Sequence, residues 1–308
     1  MVFRQFTILL LASAIALLTT LAQAETLNVR LVLSDNTPPY RQFSTALNQA
    51  LAASKADVAV VESQAGISPQ SGAGIHADLV IAVGMKAMEF AIARFDAPVL
   101  GVMIPRMGYE ILLENHPAHH RFKAISAIYL DQPWDRQLNF IQAALPEHKT
   151  VGLLYSPNTH ITLPRLPRGM SLNAQSTRPA ENLFATLESV LTNSDVLLVI
   201  PDSEIYSSSN VRNILLTSYR HQVPLIGISQ AYVNAGALGA IFSLPEQLAG
   251  QTGETVVSFA KNRRLPEPQY PVLFSISLNQ QVARSLGIVL DSPEAIRERM
   301  TKAGEGRQ

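Results

Sequence analysis

Short apolar runs alternate with amphipathic stretches along most of this chain, and this alternation limits the fold more than any other feature. Each run has four to seven residues and is rich in β-branched and other apolar side chains on successive positions. Such runs are typical of strands buried on both faces, as in a parallel sheet covered by helices. Nine runs have this pattern: residues 27–33, 58–61, 78–83, 98–103, 125–130, 151–155, 196–200, 223–228 and 238–242.

Amphipathic helices are predicted between the runs. Trp134, Leu138 and Ile141 fall on one helical face, with Asp131 at the capping position before them and Pro146 as the stop. The same spacing recurs over residues 183–191 and 211–219, and a short helix is predicted from Pro293. Strand–helix–strand repeats favour right-handed crossovers. The predicted fold class is therefore α/β, with two doubly wound lobes built on mainly parallel sheets, and the polar segment 114–123 is predicted to link them.

The N-terminus has the pattern of a secretion signal. Arg4 precedes an apolar stretch over residues 6–22, which ends in Ala22-Gln23-Ala24. The alternative is a membrane anchor, since the uncharged stretch is close to the roughly 20 residues that a spanning helix needs. The small-x-small site favours cleavage after residue 24. Residues 1–24 are thus predicted to be a signal peptide that leaves 284 residues.

Composition narrows the compartment and the partners. The chain has no cysteine, so it has neither disulfides nor a lipid-anchored cysteine after the signal. An exported chain without an anchor would be kept only by a second membrane, and this predicts the periplasm. The 24 basic residues balance the 24 acidic ones, which gives no indication of a nucleic-acid partner. No phosphate-binding or dinucleotide-binding glycine motif is present, so no cofactor is predicted.

Polar residues directly follow the apolar runs, where doubly wound sheets bind their ligands. Two lobes that face each other would bring these strand ends into one cleft for a small polar ligand. Asp202 is the best candidate, because it is the carboxylate among the second-half strand ends. The predicted ligand-binding residues are Ser34, Asp35, Gly84, Met85, Tyr155, Ser156, Asp202, Ser203, Ser229 and Tyr232.

Signals for catalysis or metal binding are weak. Gly227-Ile228-Ser229-Gln230-Ala231 resembles a nucleophile elbow, but all seven histidines precede Ser229, against the order of that hydrolase fold. His116, His119 and His120 could hold Zn²⁺, but a solvated loop between the lobes is the favoured interpretation. We predict neither a catalytic residue nor a metal site. The basic run 261–264 is read as a helix end, with a docking patch for a membrane partner as the alternative.

Several short motifs occur along the second half of the chain. They are Ile128-Tyr129-Leu130-Asp131-Gln132-Pro133, residues 145–155, Leu198-Val199-Ile200-Pro201-Asp202, residues 223–227 and 236–240, and Ser277-Leu278-Asn279 with Ala283 and residues 286–288. Their order and spacing together resemble the substrate-binding proteins of ABC transporters, including the tryptophan and tyrosine binders, roughly over residues 78–290. Two first-lobe motifs of that family are missing at Pro105-Arg106-Met107-Gly108-Tyr109 and at residues 124–127. The resemblance therefore carries over ligand contacts only around Asp202.

That family implies the type I periplasmic binding fold, with two lobes crossed three times and closing about a hinge. Lobe 1 would contain residues 25–121 plus about 244–272, and lobe 2 residues 122–243 plus about 273–308. The hinge is expected near residues 121–123, 243–245 and 271–275. The predicted function is that of a monomeric solute-binding component that is not an enzyme and delivers a small molecule to the membrane permease of an ABC importer. The alternatives are a periplasmic protein that docks on a membrane sensor and, less favoured, an envelope hydrolase.

Overall fold

The computed structural model describes residues 26–66, 76–116, 124–159, 161–162 and 165–305. The predicted signal peptide, His119 and His120, and the predicted crossing at residues 121–123 all lie outside these ranges. Within the described residues, no helix combines the length and the apolar character that are needed to cross a membrane.

The described residues form ten helices and eleven strands that mostly alternate along the chain. The helices are α1 (Pro38–Ser54), α2 (Met85–Arg94), α3 (Arg106–Asn115), α4 (Trp134–Ala144), α5 (Pro179–Thr192), α6 (Val211–Arg220), α7 (Gln230–Ala235), α8 (Pro245–Asn262), α9 (Gln280–Ser285) and α10 (Pro293–Glu305). The strands are β1 (Leu27–Leu33), β2 (Val58–Gln64), β3 (Leu79–Val83), β4 (Val99–Ile104), β5 (Ile125–Tyr129), β6 (Thr150–Tyr155), β7 (Ser171–Ser176), β8 (Val196–Leu198), β9 (Leu225–Gly227), β10 (Gly239–Phe242) and β11 (Ser275–Leu278).

The first sheet has five strands, all parallel, in the order β2-β1-β3-β4-β5. Every residue of β3 and β4 is buried, because helices cover both faces of the sheet. One face packs on α1 and α8, whose Phe43 and Phe259 share a core cluster. The other packs on α2 and α3 through Met88 and Tyr109. The continuous apolar runs of the sequence are explained by this two-sided burial.

The second sheet has six strands in the order β11-β10-β9-β8-β6-β7. All neighbours are parallel except β10 and β11, which run antiparallel. One large core cluster joins this sheet to Leu138 of α4, Leu187 of α5, Ile214 of α6 and Ile296 of α10, and a small one joins β10 to Val233 of α7. Two mainly parallel sheets covered by helices confirm the predicted fold class.

The chain passes between the sheets three times. It leaves the first sheet through residues 130–133 to enter α4, returns through residues 243–244 to α8, and leaves again through residues 270–274 to β11. The first passage begins only after β5, because Ile125–Tyr129, which we assigned to the second lobe, pairs with β4 in the first sheet. Because β5 is buried on both faces, pairing with β4 stabilises it more than a position outside the first sheet would.

Asp131 was predicted to cap the helix that follows it, and this was wrong. Pro133 occupies the N-cap of α4 and makes no side-chain capping bond. Asp131 Oδ2 instead accepts a hydrogen bond of 2.7 Å from the backbone N–H of Arg106, the first residue of α3. The first passage between the sheets is therefore tied to a helix of the first sheet.

Candidate functional site

A cavity of about 480 Å³ lies where the carboxyl ends of the two sheets meet. The first sheet contributes residues of α2 and α3, among them Met85, Met107 and Ile111. The second contributes residues from the loops after β6, β8 and β9. Parallel strands place their carboxyl ends at one edge, so both sheets present loops to the same space. We call this space the inter-sheet cavity.

A second cavity of about 210 Å³ adjoins the first at the end where the chain passes between the sheets. The two cavities share Met107, Ile200 and Pro201 in their walls, so they are adjacent, and we refer to both together as the cleft. The second is lined by Arg106 and Glu110 of α3, by Asp131, by Trp134 of α4 and by Tyr270, among others. We call it the hinge-end cavity.

The structure brings only half of the predicted ligand-binding residues to the inter-sheet cavity. Met85, Ser156, Asp202, Ser203 and Tyr232 line it. The other five predicted residues are not among those lining either cavity. They are Ser34, Asp35, Gly84, Tyr155 and Ser229.

Local structure explains why some strand-end residues do not line the cleft. The buried Ser34 Oγ accepts a hydrogen bond of 2.9 Å from the backbone N–H of Ala87 in the first turn of α2. Asp35 Oδ1 accepts one of 2.7 Å from the N–H of Thr37. Tyr155 packs against the core of the second sheet, and Ser229 is the N-cap residue of α7. These residues shape the loops behind the cavity wall.

Gly84 connects β3 to α2 with φ of 86°, in the left-handed region that favours glycine. A Cβ at this position would lie 2.5 Å from Tyr40 Oη and 2.6 Å from Ser34 Oγ. We expect Gly84→Ala to lower the free energy of unfolding by about 2 kcal/mol, from backbone strain and the displaced Ser34 contact. Urea denaturation measures this change.

Gly250→Ala is the control for that substitution. Gly250 lies inside α8 with nothing within 4 Å of an added Cβ, so alanine there should stabilise the chain by about 0.5–1 kcal/mol. If Gly84→Ala were as stable as the wild type, the close approach at this turn would not constrain the residue.

Asp202 organises the loops on the second-sheet side of the inter-sheet cavity. It is 4 % exposed. Its Oδ2 accepts hydrogen bonds from Ser156 N at 2.7 Å and Thr159 Oγ1 at 2.5 Å, and its Oδ1 accepts from Glu204 N and Ile205 N, each at 3.0 Å. Burial alone would raise the pKa of Asp202, but these hydrogen bonds outweigh it and hold the pKa below its ordinary value. The carboxylate is ionised and fully occupied by the protein.

Asp131 differs from Asp202 because one of its carboxylate oxygens is free. Its Oδ2 caps α3, whereas Oδ1 is buried and has no hydrogen-bond partner within the described residues. Burial raises the pKa of Asp131 to about 6, against the opposing effect of the Arg106 N–H. Arg106 itself donates to Tyr270 Oη at 3.0 Å and pairs with Glu110 at 2.7 Å, and these bonds raise the pKa of Arg106.

Hydrogen bonds connect the three passages between the sheets. Gln132 Nε2 donates to Ser243 Oγ at 2.9 Å, and that hydroxyl donates to Leu273 O at 2.5 Å. Arg136 donates to Gln132 Oε1 at 2.6 Å and to Pro271 O at 2.8 Å. Gln132 and Ser243 are 5 % and 6 % exposed. Buried polar groups that satisfy one another in this way hold the three strands of chain in register.

Two mainly parallel sheets joined by three passages, with a cleft between their strand ends, are the architecture of type I periplasmic binding proteins. The chain belongs to the family of ABC transporter substrate binding proteins, whose pattern matches residues 76–301. The predicted family and fold are thereby confirmed. None of the curated proteins matches the chain.

Solved structures agree with this fold. A substrate binding protein with adhesive properties from Clostridium difficile, in its ligand-free open form, is 17 % identical with a TM-score of 0.65, over 87 % of this chain and 97 % of that one. An ABC domain from Streptococcus pneumoniae in complex with L-Trp is 18 % identical with a TM-score of 0.59. A conserved domain protein from Vibrio cholerae is 16 % identical with a TM-score of 0.59. The match covers 89 % of this chain and 98 % of the other chain in both of the last two cases.

The cleft also contains residues that sequence reasoning missed. Met107 and Ile111 of α3 line the inter-sheet cavity, with Asn158 and Glu204 from the loops of the second sheet. Asn158 Nδ2 donates to Glu204 Oε1 at 2.9 Å. The i, i+4 spacing of Met107 and Ile111 after a strand was a detectable signal for α3, whereas nothing in the sequence indicated which face of that helix meets the second sheet.

Proposed function

We propose that this protein is the solute-binding component of an ABC importer and works in the periplasm. The observation that carries the proposal is the inter-sheet cavity, whose walls come from strand ends of both sheets. Membership of the substrate-binding family supports a ligand in this cavity. The signal pattern of residues 1–24 supports export, and a membrane permease is the partner that the family name implies.

Ligand capture would use the three passages between the sheets as a hinge. We propose that residues 26–129 with about 244–270 form one lobe, and residues 130–243 with about 271–305 the other. Gln132, Ser243 and Leu273 are hydrogen-bonded at the boundary, so the lobes would rotate about a short, ordered axis. Closure would exclude water from the cleft and strengthen the polar contacts to the ligand.

Thermal unfolding against a panel of amines, amino acids, sugars, nucleosides and organic acids tests this function. A ligand at 100 times its dissociation constant should stabilise the protein by about 2.7 kcal/mol, a rise in Tm of several degrees. X-ray scattering of the same sample should show a smaller radius of gyration. If no compound in the panel changes either quantity, solute binding between the lobes is contradicted.

Two arginine substitutions, one inside the cleft and one outside it, test where the ligand binds. Ile111 lines the inter-sheet cavity and is 37 % exposed, so Ile111→Arg should fold normally while it lowers ligand affinity at least tenfold. Leu216 of α6 is 46 % exposed and does not line either cavity, so Leu216→Arg should leave affinity unchanged. Equal effects of the two variants would place the ligand outside this cleft.

A further inference from the structure

The cleft is acidic. Of the described residues that line its two cavities, four carry carboxylates: Glu110, Asp131, Asp202 and Glu204. Arg106 is the basic residue among them, and its guanidinium is bonded to Glu110 and Tyr270. Four carboxylates against one arginine give the lining an acidic excess, and this excess attracts a cation.

The four carboxylates are not equivalent. Asp202 is saturated by four hydrogen bonds, Glu110 pairs with Arg106, and Glu204 is exposed beside Asn158. Asp131 Oδ1 alone combines burial with the absence of a hydrogen-bond partner within the described residues. A buried carboxylate oxygen left in this state is costly unless something else donates to it.

The walls around Asp131 suit an organic ammonium group. Trp134, which is the only tryptophan of the chain, lines the hinge-end cavity together with Tyr270. Aromatic faces attract cations, and most strongly where water is excluded. Met107, Ile200 and Pro201, which both cavities share, continue from this polar end as an apolar wall toward Met85.

We propose that the solute is an organic cation, whose ammonium group binds in the hinge-end cavity with Asp131 Oδ1 as its counter-ion and Trp134 beside it. Its apolar body extends along Met107, Ile200 and Pro201 into the inter-sheet cavity. The inference rests on the proposed solute-binding function and narrows its ligand to amines and quaternary ammonium compounds. A free carboxylate on the ligand is disfavoured, because the lining already has four carboxylates against one arginine.

Trp134 fluorescence, supported by calorimetry, tests the proposal with cations and their uncharged counterparts. The pairs are 2-phenylethylamine with 2-phenylethanol, hexylamine with hexanol, and choline with 3,3-dimethylbutanol; L-phenylalanine and 3-phenylpropionate extend the first pair. At least one cation should bind, and its neutral partner should bind at least about 100-fold more weakly. L-phenylalanine should bind at least tenfold more weakly than 2-phenylethylamine.

Asp131→Asn is the decisive variant. Its amide oxygen can still accept from Arg106 N, so α3 keeps its cap, but the counter-ion is lost. Affinity for the bound cation should fall at least 30-fold, while Glu254→Gln, which removes an exposed charge of α8 outside the cleft, should change it less than threefold. Cation affinity of the wild type should decline as pH falls below about 6, where Asp131 becomes protonated, and that dependence should vanish in Asp131→Asn.

The charged and titratable groups that face Asp131 are few. They are Arg106 and Glu110 of α3, Tyr129 of β5 and Tyr270 of the third passage, while α4 presents the uncharged Trp134 and Gln137. A carboxyl with a raised pKa binds its proton more tightly in the folded state, so stability is lost as pH rises from about 4 to about 6. Asp131→Asn should therefore melt roughly 3 °C above the wild type at pH 7.5 and show no such gain at pH 4.5.

The possible results distinguish a wrong cation assignment from a wrong solute-binding function. If neutral or anionic compounds bind more tightly than the cations, or if Asp131→Asn binds a cation as the wild type does, the cation assignment is wrong and solute binding stands. A lower melting temperature of Asp131→Asn at pH 7.5 would show that the charge is needed for folding and would also overturn the assignment. If no compound of any charge changes Trp134 fluorescence or the radius of gyration, the proposed function fails and the inference with it.

Discussion

Asp202→Ala should lower the free energy of unfolding by about 4 kcal/mol. Four donors, three backbone N–H groups and the Thr159 hydroxyl, lose their acceptor in a buried position. Each unsatisfied buried donor costs roughly 1–3 kcal/mol, and partial relaxation of the loops reduces the total. Because the loops after β6 and β8 carry Asn158 and Glu204 into the inter-sheet cavity, ligand binding should weaken as well. Urea denaturation and the ligand titration measure the two effects.

Two substitutions calibrate this result. Asp202→Asn keeps one acceptor oxygen and should cost about half as much. Asp195 also accepts two backbone N–H bonds, from Lys149 and Thr150, but it is exposed at the opposite end of β6, so Asp195→Ala should cost about 1 kcal/mol. Equal costs at positions 202 and 195 would mean that burial of Asp202 adds nothing.

The free energy of unfolding at acidic pH also tests the contribution of Asp202. The pKa of Asp202 is lowered in the folded protein, so its stabilising contribution is present above the unfolded pKa near 4 and is lost as pH falls through the folded value. The difference in stability between the wild type and Asp202→Asn should therefore be largest near pH 7 and shrink below pH 4. A constant difference across that window would contradict an ionised Asp202.

Arg136→Met should lower the free energy of unfolding by about 3 kcal/mol, the second largest effect that we expect. The guanidinium donates to Gln132 Oε1 and Pro271 O and lies 4.8 Å from the centroid of the Phe274 ring. Methionine keeps the apolar stem but leaves two acceptors at the passages between the sheets unbonded. Thermal and urea unfolding measure the loss, and X-ray scattering of the free protein should report a wider distribution of lobe angles.

Arg297→Met is the matched control. Arg297 lies 4.4 Å from the same Phe274 ring and donates to Phe274 O at 3.0 Å, but it is exposed on α10. Its replacement should cost less than about 1 kcal/mol and leave the scattering unchanged. If both arginines cost the same, the stacking on Phe274 would explain the effect, and the bonds between the passages would not.

The fold was predictable because a strand that is buried on both faces has a continuous apolar run in its sequence. The strands β3 and β4 read as continuous apolar runs, and they were found within one residue of their ends. Two strands of the second sheet were missed. The strand β7 lies at the edge with Asn173 and Gln175, and β11 alternates serine with apolar residues, so neither has a continuous apolar run.

The candidate site was only half predictable. Strand ends locate the loops, but whether a side chain points toward the cleft depends on helix rotation and on bonds within the loop. Asp202 illustrates the limit, since the sequence places it after an apolar run but gives no sign of its four internal hydrogen bonds. The segment 105–109, which lacks the family motif, supplies Arg106 and Met107 to the walls of the cleft. The segment that differs from the family therefore lines the cleft, where a sequence difference can alter ligand specificity.

Helices α1 and α8 cover one face of the first sheet together, although the end of α1 and the start of α8 are 191 positions apart. Contact between these two helices closes a very long loop. The chain loses conformational entropy when the loop closes, before the burial of Phe43 in the cluster shared with α8 stabilises the contact. The amino-terminal half of the chain therefore cannot complete its own core while the rest is still being synthesised. We therefore expect folding to be late and slow. A fragment that ends before Pro245 should expose apolar surface and unfold without a cooperative transition.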